Sequence, residues 1–138
     1  MNPKTDVMVV LAELQALEPY TEIVLPDSLP DDLRPTCTAM PIVLAERFLV
    51  LVPTGQEQEM VERYMQSLRE QQMEPPMLER FQRTALGQAA ICVAQGQRLW
   101  LPTRLANWLG ACSEVRLGPH GELRLLAKAH FIRPEALM

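Results

Sequence analysis

One short pattern occurs twice in this chain, and it constrains the fold more than any other feature of the sequence. The first copy, residues 21–29, reads TEIVLPDSL, and the second, residues 97–105, reads QRLWLPTRL. Each copy places apolar residues before a Leu-Pro pair and follows that pair with two polar residues and a leucine. The sign of the charge is reversed at one position, where Glu22 in the first corresponds to Arg98 in the second. We interpret the pattern as an internal duplication.

Strand-forming sequence follows the Leu-Pro pattern in both copies. Residues 41–53 and residues 114–125 each contain two β-rich runs around a polar break. Each copy therefore reads as a strand, a Leu-Pro pair, a short helix within DSLPDDL or TRLANWL, and a pair of strands. We predict a β-rich α+β fold built from two such units, each of roughly 50 residues.

The strand pair of the second copy carries a specific register prediction. If its two runs pair with Val115 opposite Leu125, then Arg116 lies opposite Arg124 on the other face. Like charges directly opposite each other destabilise a strand pair, so these arginines require an anionic partner. That partner is either an acid of a neighbouring subunit or nucleic acid.

The segment between the two copies is predicted to be helical. The stretch TGQE at 54–57 has the form of a capping box, in which the Thr hydroxyl and the Glu carboxylate each satisfy a backbone N–H at a helix start. Apolar residues then recur at helical spacing, at Met60, Val61, Tyr64, Met65 and Leu68. This helix should end near Gln71, before the Glu-Pro-Pro break at 74–76, and a second should run from Pro76 to Leu86 and close at Gly87.

The segment before the first copy allows two interpretations. Its apolar residues fit a helix, at Val7, Val10, Leu11, Leu14 and Leu17. The corresponding residues 89–93 before the second copy have the composition of a strand, so internal symmetry favours a strand for at least part of residues 6–18. The predicted organisation is a first repeat at 1–53, a helical connector at 54–87 and a second repeat at 88–138.

Composition and charge limit the classes of function. The chain has 138 residues, of which 48% are hydrophobic and 22% charged, as in a soluble globular protein. No apolar run approaches the roughly 20 residues that cross a bilayer, and the start MNPKTD lacks the layout of a secretory signal. We therefore expect a cytoplasmic protein without a membrane partner. The net charge of −4 argues against a broadly basic nucleic-acid surface, although it leaves room for a local basic patch.

Cysteines and histidines give no sign of a metal site or a catalytic centre. Cys37, Cys92 and Cys112 are far apart in sequence and lack CxxC spacing, so we expect reduced, partly buried thiols. His120 lies in a Gly-Pro-His-Gly turn, and neither it nor His130 has a spacing that joins it to a nucleophile. We predict no enzymatic activity, no cofactor and no small-molecule ligand.

The order and spacing of several motifs resemble the MraZ family, which belongs to the AbrB-like, swapped-hairpin class of bacterial transcription regulators. In the second half the matching residues are RLWLP at 98–102, Leu105, Trp108, Gly110, Glu114, Val115, Leu117, Gly118 and LRL at 123–125. In the centre they are FLVLVP at 48–53 and RFQR at 80–83, which leads to Gly87. The resemblance covers roughly residues 18 to 131.

This resemblance implies two interleaved repeats that share one barrel-like core, with several subunits assembled into a ring. Such a ring binds short direct repeats in promoter DNA, typically upstream of division and cell-wall genes. The family reads DNA with a turn of the form Asp-x-Lys-Gly-Arg in both repeats. In this chain the equivalent stretches are EPYTE at 18–22 and AQGQR at 94–98, so Arg98 keeps the arginine of the motif whereas Glu22 reverses its charge.

The candidate DNA-contacting residues are therefore Arg98, Gln95, Gln97, Arg116 and Arg124. Arg98 either contacts DNA or pairs with a nearby surface acid, and the two glutamines either donate to bases or are solvated turn residues. The expected function is an MraZ-like regulator that binds promoter DNA as a homo-oligomeric ring. The alternative is a ring-forming interaction or structural protein of the same fold that has lost DNA binding.

Overall fold

The protein has a mixed α+β fold, as the sequence predicts. The computed structural model describes residues 3–127, apart from the side chains of residues 3–6 and 112–113. The helices are α1 (Pro3–Gln15), α2 (Glu57–Glu70), α3 (Pro75–Gly87) and α4 (Thr103–Leu109), with a 3-10 helix at Asp31–Leu33. The strands are β1 (Tyr20–Val24), β2 (Thr36–Val43), β3 (Arg47–Val52), β4 (Ala90–Gln95), β5 (Arg98–Pro102), β6 (Cys112–Leu117) and β7 (Leu123–Ala127).

All seven strands form one curled antiparallel sheet with the shape of a half-barrel, in the order β1-β5-β4-β2-β3-β7-β6. Three hairpins, β2–β3, β4–β5 and β6–β7, join strands that are neighbours in the chain. The pairs β1–β5, β2–β4 and β3–β7 join strands from opposite sides of the helical connector. Strands from before and after the connector thus form one sheet.

Both faces of the sheet are covered, which explains the nearly continuous apolar sequence of β3. Successive side chains of a strand point to opposite faces, so Leu49 and Leu51 lie on one side of β3 while Phe48 and Val50 lie on the other. The first side packs against α4 and the 3-10 helix through Leu33, Leu105 and Leu109 among others. The second side packs against α2 and α3.

The two helices of the connector confirm the predictions made for 57–71 and 76–87. The start of α2, however, differs from the predicted capping box. The Glu57 carboxylate accepts from the N–H of Gly55, at 2.8 and 3.0 Å, and from the Thr38 hydroxyl at 2.8 Å. The Thr54 hydroxyl lies 3.2 Å from the Thr38 hydroxyl and does not cap α2. The N-cap residue of α2 is Gln56, and its side chain makes no capping hydrogen bond. The Glu57 half of the predicted capping box is therefore present, because the Glu57 carboxylate accepts from a backbone N–H. The Thr54 half is absent, and the Thr38 hydroxyl of β2 lies within hydrogen-bond distance of both Thr54 and Glu57.

The strand predicted within residues 6–18 is wrong, because these residues belong to α1 up to Gln15. The helical spacing of the apolar residues is the correct signal in this segment. It places Val7 and Leu11 on one face of α1, where both are buried against Val93 of β4. The short helix predicted within DSLPDDL is reduced to the 3-10 turn, because the residue before Pro30 is disfavoured in a helical conformation. The corresponding TRLANWL forms α4 as predicted. No helix within residues 3–127 is long and apolar enough to cross a bilayer.

Candidate functional site

The turn that carries Arg98 is a tight β-hairpin between β4 and β5. Gln95 pairs with Arg98, so that the loop consists of Gly96 and Gln97 alone. Gly96 has a φ of +60°, which a two-residue hairpin of this kind requires at its first loop position and which glycine adopts without strain. The sequence therefore fixes Arg98 at the first position of β5, at the base of an exposed tip.

Arg98 and Glu22, which occupy equivalent positions in the two copies of the repeat, form an ion pair. The distance from Arg98 Nε to Glu22 Oε1 is 3.3 Å, and the two side chains are 65% and 41% exposed. They are diagonal neighbours on the antiparallel β1–β5 pair, in which Arg98 lies opposite Val24 and Glu22 opposite Trp100. An exposed pair of this kind contributes about 0–1 kcal/mol to stability, so either partner can exchange it for another ion.

The two glutamines of the turn differ in their surroundings. Gln97 Nε2 donates to the carbonyl of Pro26 at 3.1 Å, and the N–H of Leu25 donates to the carbonyl of Gln97 at 2.7 Å. These bonds tie the tip of the hairpin to the Leu-Pro pair of the first copy. Gln95 is half-buried at the end of β4. Of the two, Gln97 has its side-chain amide already engaged by the protein.

Arg116 and Arg124 lie directly opposite each other, with Val115 opposite Leu125, as the predicted register requires. Each of them has an acid of the same chain as a partner, which the sequence analysis did not anticipate. Arg116 bonds the carboxylate of Glu114 with two nitrogens, at 3.0 and 2.9 Å, and has Glu46 at 3.8 Å. These two arginines lie on β6 and β7, whereas Arg98 lies on β5, and the strands β4, β2 and β3 lie between β5 and β7 in the sheet.

Arg124 points inward, toward a buried acid that the sequence interpretation missed. Its side chain is 16% exposed, and Nη2 lies 3.3 Å from Oε2 of Glu122, whose side chain is fully buried. The guanidinium lies over the ring of Phe48, 4.2 Å from its centroid, and 5.6 Å from that of Tyr64. Arg124 Nε is buried and has no hydrogen-bond partner among residues 3–127. The guanidinium of Arg124 is thus held largely by contacts within the protein.

Glu122 remains ionised inside the protein because it is surrounded by donors. The hydroxyl of Tyr64 donates to its carboxylate, and the N–H of His120 donates to Oε1 at 2.9 Å. Burial by itself raises the pKa of Glu122, but the hydrogen bonds and the charge of Arg124 outweigh it and hold the pKa below its ordinary value. Burial and the bond to Glu122 raise the pKa of the Tyr64 hydroxyl. We name the group of Tyr64, His120, Glu122 and Arg124 the buried acid cluster.

The buried acid cluster also determines why residue 118 is glycine. A Cβ atom at this position would overlap the Glu122 carboxylate and come within 2.7 Å of Arg124 Nε. The N–H of Gly118 donates to the carbonyl of Glu122 at 2.7 Å, which closes the loop. The sequence contains one signal for this cluster. Arg116 and Arg124 were predicted to face each other and therefore to need an anionic partner, and Glu122 lies two residues before Arg124.

The cysteines and histidines form no metal site in the part of the chain that is described. No group of three or more potential ligands among His, Cys, Asp and Glu occurs there. Cys37 and Cys92 are free thiols, and both are fully buried rather than partly buried. The side chain of Cys112 and all of His130 lie outside the described parts of the structure, so the expectations for them remain predictions.

Comparison with known proteins adds no relative to these observations. No protein-family model, no curated protein and no solved structure matches the chain. The function is therefore inferred from the residues themselves and from their geometry. The sequence motif and the structure both direct attention to the β4–β5 hairpin, which carries the exposed Arg98 at its base.

Proposed function

We propose that this chain is an MraZ-like transcription regulator that binds direct repeats in promoter DNA as a ring oligomer, with division and cell-wall genes as its expected targets. The observation that carries the proposal is the exposed Arg98 at the base of a two-residue hairpin, at the position where the family motif has its arginine. A narrow hairpin tip can approach a DNA groove, and an arginine there can contact phosphates or the edge of guanine.

The proposed duplication is supported by the strand registers. In the repeat, Glu22 corresponds to Arg98 and Val24 corresponds to Trp100. In the β1–β5 pair, Glu22 lies opposite Trp100 and Val24 lies opposite Arg98. Replacing each residue of one pair by its equivalent in the other copy therefore gives the other pair. The same spacing relates the pairs of β3 and β7, in which Phe48 lies opposite Leu126 and Val50 opposite Arg124. Two copies that face each other across an approximate twofold axis have this property, as interleaved repeats would.

The first copy has no equivalent of the DNA-reading hairpin. The spacing of the repeat relates β4 to residues 14–19, which contain the end of α1 and the turn that follows it. Because no strand precedes β1 there, the stretch with Glu22 cannot form the tip that Gln95 and Arg98 form in the second copy. Each subunit thus offers one basic hairpin, and Glu22 serves as its counter-ion.

One arginine per subunit gives weak binding, which a ring would multiply. Once one subunit of the ring holds its DNA site, its neighbours meet adjacent repeats at high effective concentration. A DNA phosphate would replace Glu22 as the partner of Arg98 at small cost, because the ion pair is exposed. The proposal therefore predicts binding that depends on tandem sites and falls steeply with salt.

A second candidate function is favoured by the same ion pair. If Glu22 outcompetes phosphate for Arg98, the chain is a ring-forming interaction or structural protein that has lost DNA binding. The net charge of −4 and the pairing of Arg116 and Arg124 with acids of the same chain favour this reading.

Selection from a random pool of duplex DNA, together with light scattering of the free protein, distinguishes the two functions. Enrichment of one short sequence in tandem copies by an oligomer supports the DNA-binding regulator. An oligomer that enriches nothing supports the interaction protein. A monomer at micromolar concentration contradicts both, because neither the ring nor the avidity argument would remain.

A further inference from the structure

Cys37 and Cys92 lie directly opposite each other, although fifty-four residues separate them in the sequence. Cys37 is on β2, Cys92 is on β4, and the two are register partners in the antiparallel pair. Directly opposite residues point to the same face of a sheet, and both side chains belong to the core that α4 covers. The sequence gives no sign of this juxtaposition, because it arises only from the pairing of strands on either side of the helical connector.

The position in the ladder is compatible with a disulfide bond. The N–H of Ala94 donates to the carbonyl of Pro35 at 2.7 Å, and Cys37 and Cys92 follow two positions further along the same pair of strands. Hydrogen-bonded positions alternate along an antiparallel pair, so the two cysteines occupy one, where Cα atoms are about 5.5 Å apart. Disulfide bonds most often span about 5.5–6 Å between Cα atoms. The spacing expected for the two Cα atoms therefore falls within the range that disulfide bonds span.

The environment of the two thiols makes them slow to react while the sheet is closed. Both side chains have no exposed surface. Burial, followed by the contact with the Cys37 thiol, raises the pKa of the Cys92 thiol well above its ordinary value. Because the thiolate is the attacking species in disulfide exchange, a buried thiol with a raised pKa reacts only when the strands part.

We propose that Cys37 and Cys92 are a redox site that forms a reversible intramolecular disulfide with low-molecular-weight disulfides as the oxidant. One thiolate attacks a sulfur of the small disulfide and releases one small thiol, which leaves a mixed disulfide. The second protein thiolate then attacks the protein sulfur of that bond and releases the other small thiol. The two protons of the protein thiols end on the two released thiols, so the protein is oxidised by two electrons and the small disulfide is reduced.

The bond would cross-link the β2–β4 pair, which is the seam between the two parts of the half-barrel. Within residues 3–127, the β2–β4 pair is the one strand pairing that joins β1, β5 and β4 to the rest of the sheet. This pair runs over four residue positions, as the β3–β7 pair does. A covalent link at its middle would hold the strand that carries Arg98 to the other part of the sheet and resist local opening.

The test begins with reduced protein incubated with oxidised glutathione, followed by alkylation and mass analysis. The expected product has lost the mass of two hydrogens, and a non-reducing peptide map joins the peptide of Cys37 to that of Cys92. The reaction should be slow in buffer and several-fold faster in mild urea, because opening of the seam limits it. The oxidised form should melt several degrees higher than the reduced form, and the difference should vanish with dithiothreitol.

Variants show whether the bond belongs to this pair. Cys112→Ser should retain the product, whereas Cys37→Ala and Cys92→Ala should lose it. The peptide map of the wild-type protein gives the answer even if an alanine variant fails to fold. A bond that includes Cys112, or stable glutathione adducts without an internal bond, would overturn the proposal, as would failure to form the bond when the protein is refolded in the redox buffer.

Discussion

Tyr64 donates its hydroxyl hydrogen bond to the carboxylate of Glu122, which links α2 to the β6–β7 loop inside the protein. Glu122 is 3% exposed, so the bond replaces water that the carboxylate has lost. His120 and Arg124 supply further donors to the same group. Removal of any one partner leaves a buried charge less well satisfied, and this makes the cluster a sensitive point of the fold.

Tyr64→Phe should lower the free energy of unfolding by about 1–3 kcal/mol, because it removes a donor from a buried carboxylate and leaves the ring packing intact. Urea unfolding followed by circular dichroism measures the change. Tyr20→Phe is the matched control, since the Tyr20 hydroxyl donates to the carbonyl of Ile91 at an exposed position. The account is contradicted if the two substitutions cost the same.

Stability should fall in acid partly because of Glu122. Its pKa is lowered in the folded protein, so at a pH between the ordinary value and the lowered one the unfolded chain binds a proton that the folded chain does not. The contribution of this group is therefore complete at neutral pH and is lost as the pH falls through the lowered pKa. Glu122→Gln should be less stable than wild type at neutral pH, and the difference should shrink through this acid window.

Unfolding in urea at a series of pH values measures that difference. Glu57, whose pKa is also lowered, is present in both proteins and cancels. Glu79→Gln on the exposed face of α3 is the control and should differ little from wild type. A stability difference between Glu122→Gln and wild type that stays constant from neutral to acid pH would show that the charge of Glu122 is not the cause.

Gly118→Ala should destabilise the protein by about 1–3 kcal/mol, because the new methyl group overlaps Glu122 and Arg124 and both side chains are held by the cluster. Gly87→Ala provides the contrast, since a Cβ at Gly87 meets no atom within 4 Å. Thermal unfolding of both variants should show a lower midpoint for the first and an unchanged or slightly higher one for the second. Equal midpoints would mean that the loop adapts freely to the added methyl.

The parts of the fold that the sequence predicts are those with local signals. Periodic apolar residues and the Glu-Pro-Pro break locate α2 and α3, and alternation around 118–121 predicts the register of Arg116 and Arg124. The strand predicted within residues 6–18 is wrong because the internal symmetry of the sequence and the helical spacing of Val7 and Leu11 point to different structures, and the helical spacing is the one that the fold follows. The two copies have different neighbours, so equivalent positions need not adopt the same structure.

The features that escaped prediction depend on contacts distant in sequence. Tyr64 and Glu122 are 58 residues apart, and neither has a local pattern that indicates the other. The pair of Cys37 and Cys92 likewise exists only after β2 meets β4. Arg98 and Glu22 were both singled out from the repeat, but their direct pairing requires β1 and β5 to be neighbours.

The pairing of Glu22 with Arg98 allows the DNA-binding proposal to be tested through a double-mutant cycle. Glu22→Gln should tighten binding, because it frees Arg98 and removes a repulsive charge from the DNA face. Arg98→Ala should weaken binding and reduce the salt slope by about 0.9 for each lost phosphate contact in a participating subunit. In the Arg98→Ala background, Glu22→Gln should gain less, because part of its effect acts through the arginine.

Matched controls come from another exposed ion pair, Arg83 and Glu79 on α3, which lie 3.2 Å apart. Arg83→Ala and Glu79→Gln change the net charge by the same amounts as the test variants but lie away from the hairpin. Both should bind DNA as wild type does. If they reproduced the effects at Arg98 and Glu22, overall charge rather than the turn would control binding.

The most direct measurement is fluorescence anisotropy titration of the selected tandem-repeat duplex with wild type, Arg98→Ala and Glu22→Gln at two salt concentrations, with oligomer size checked by light scattering. We predict weaker binding and a smaller salt slope for Arg98→Ala, tighter binding for Glu22→Gln, and one oligomer size for all three. Binding that is unchanged by both substitutions would contradict the assignment of the hairpin as the DNA-contacting element.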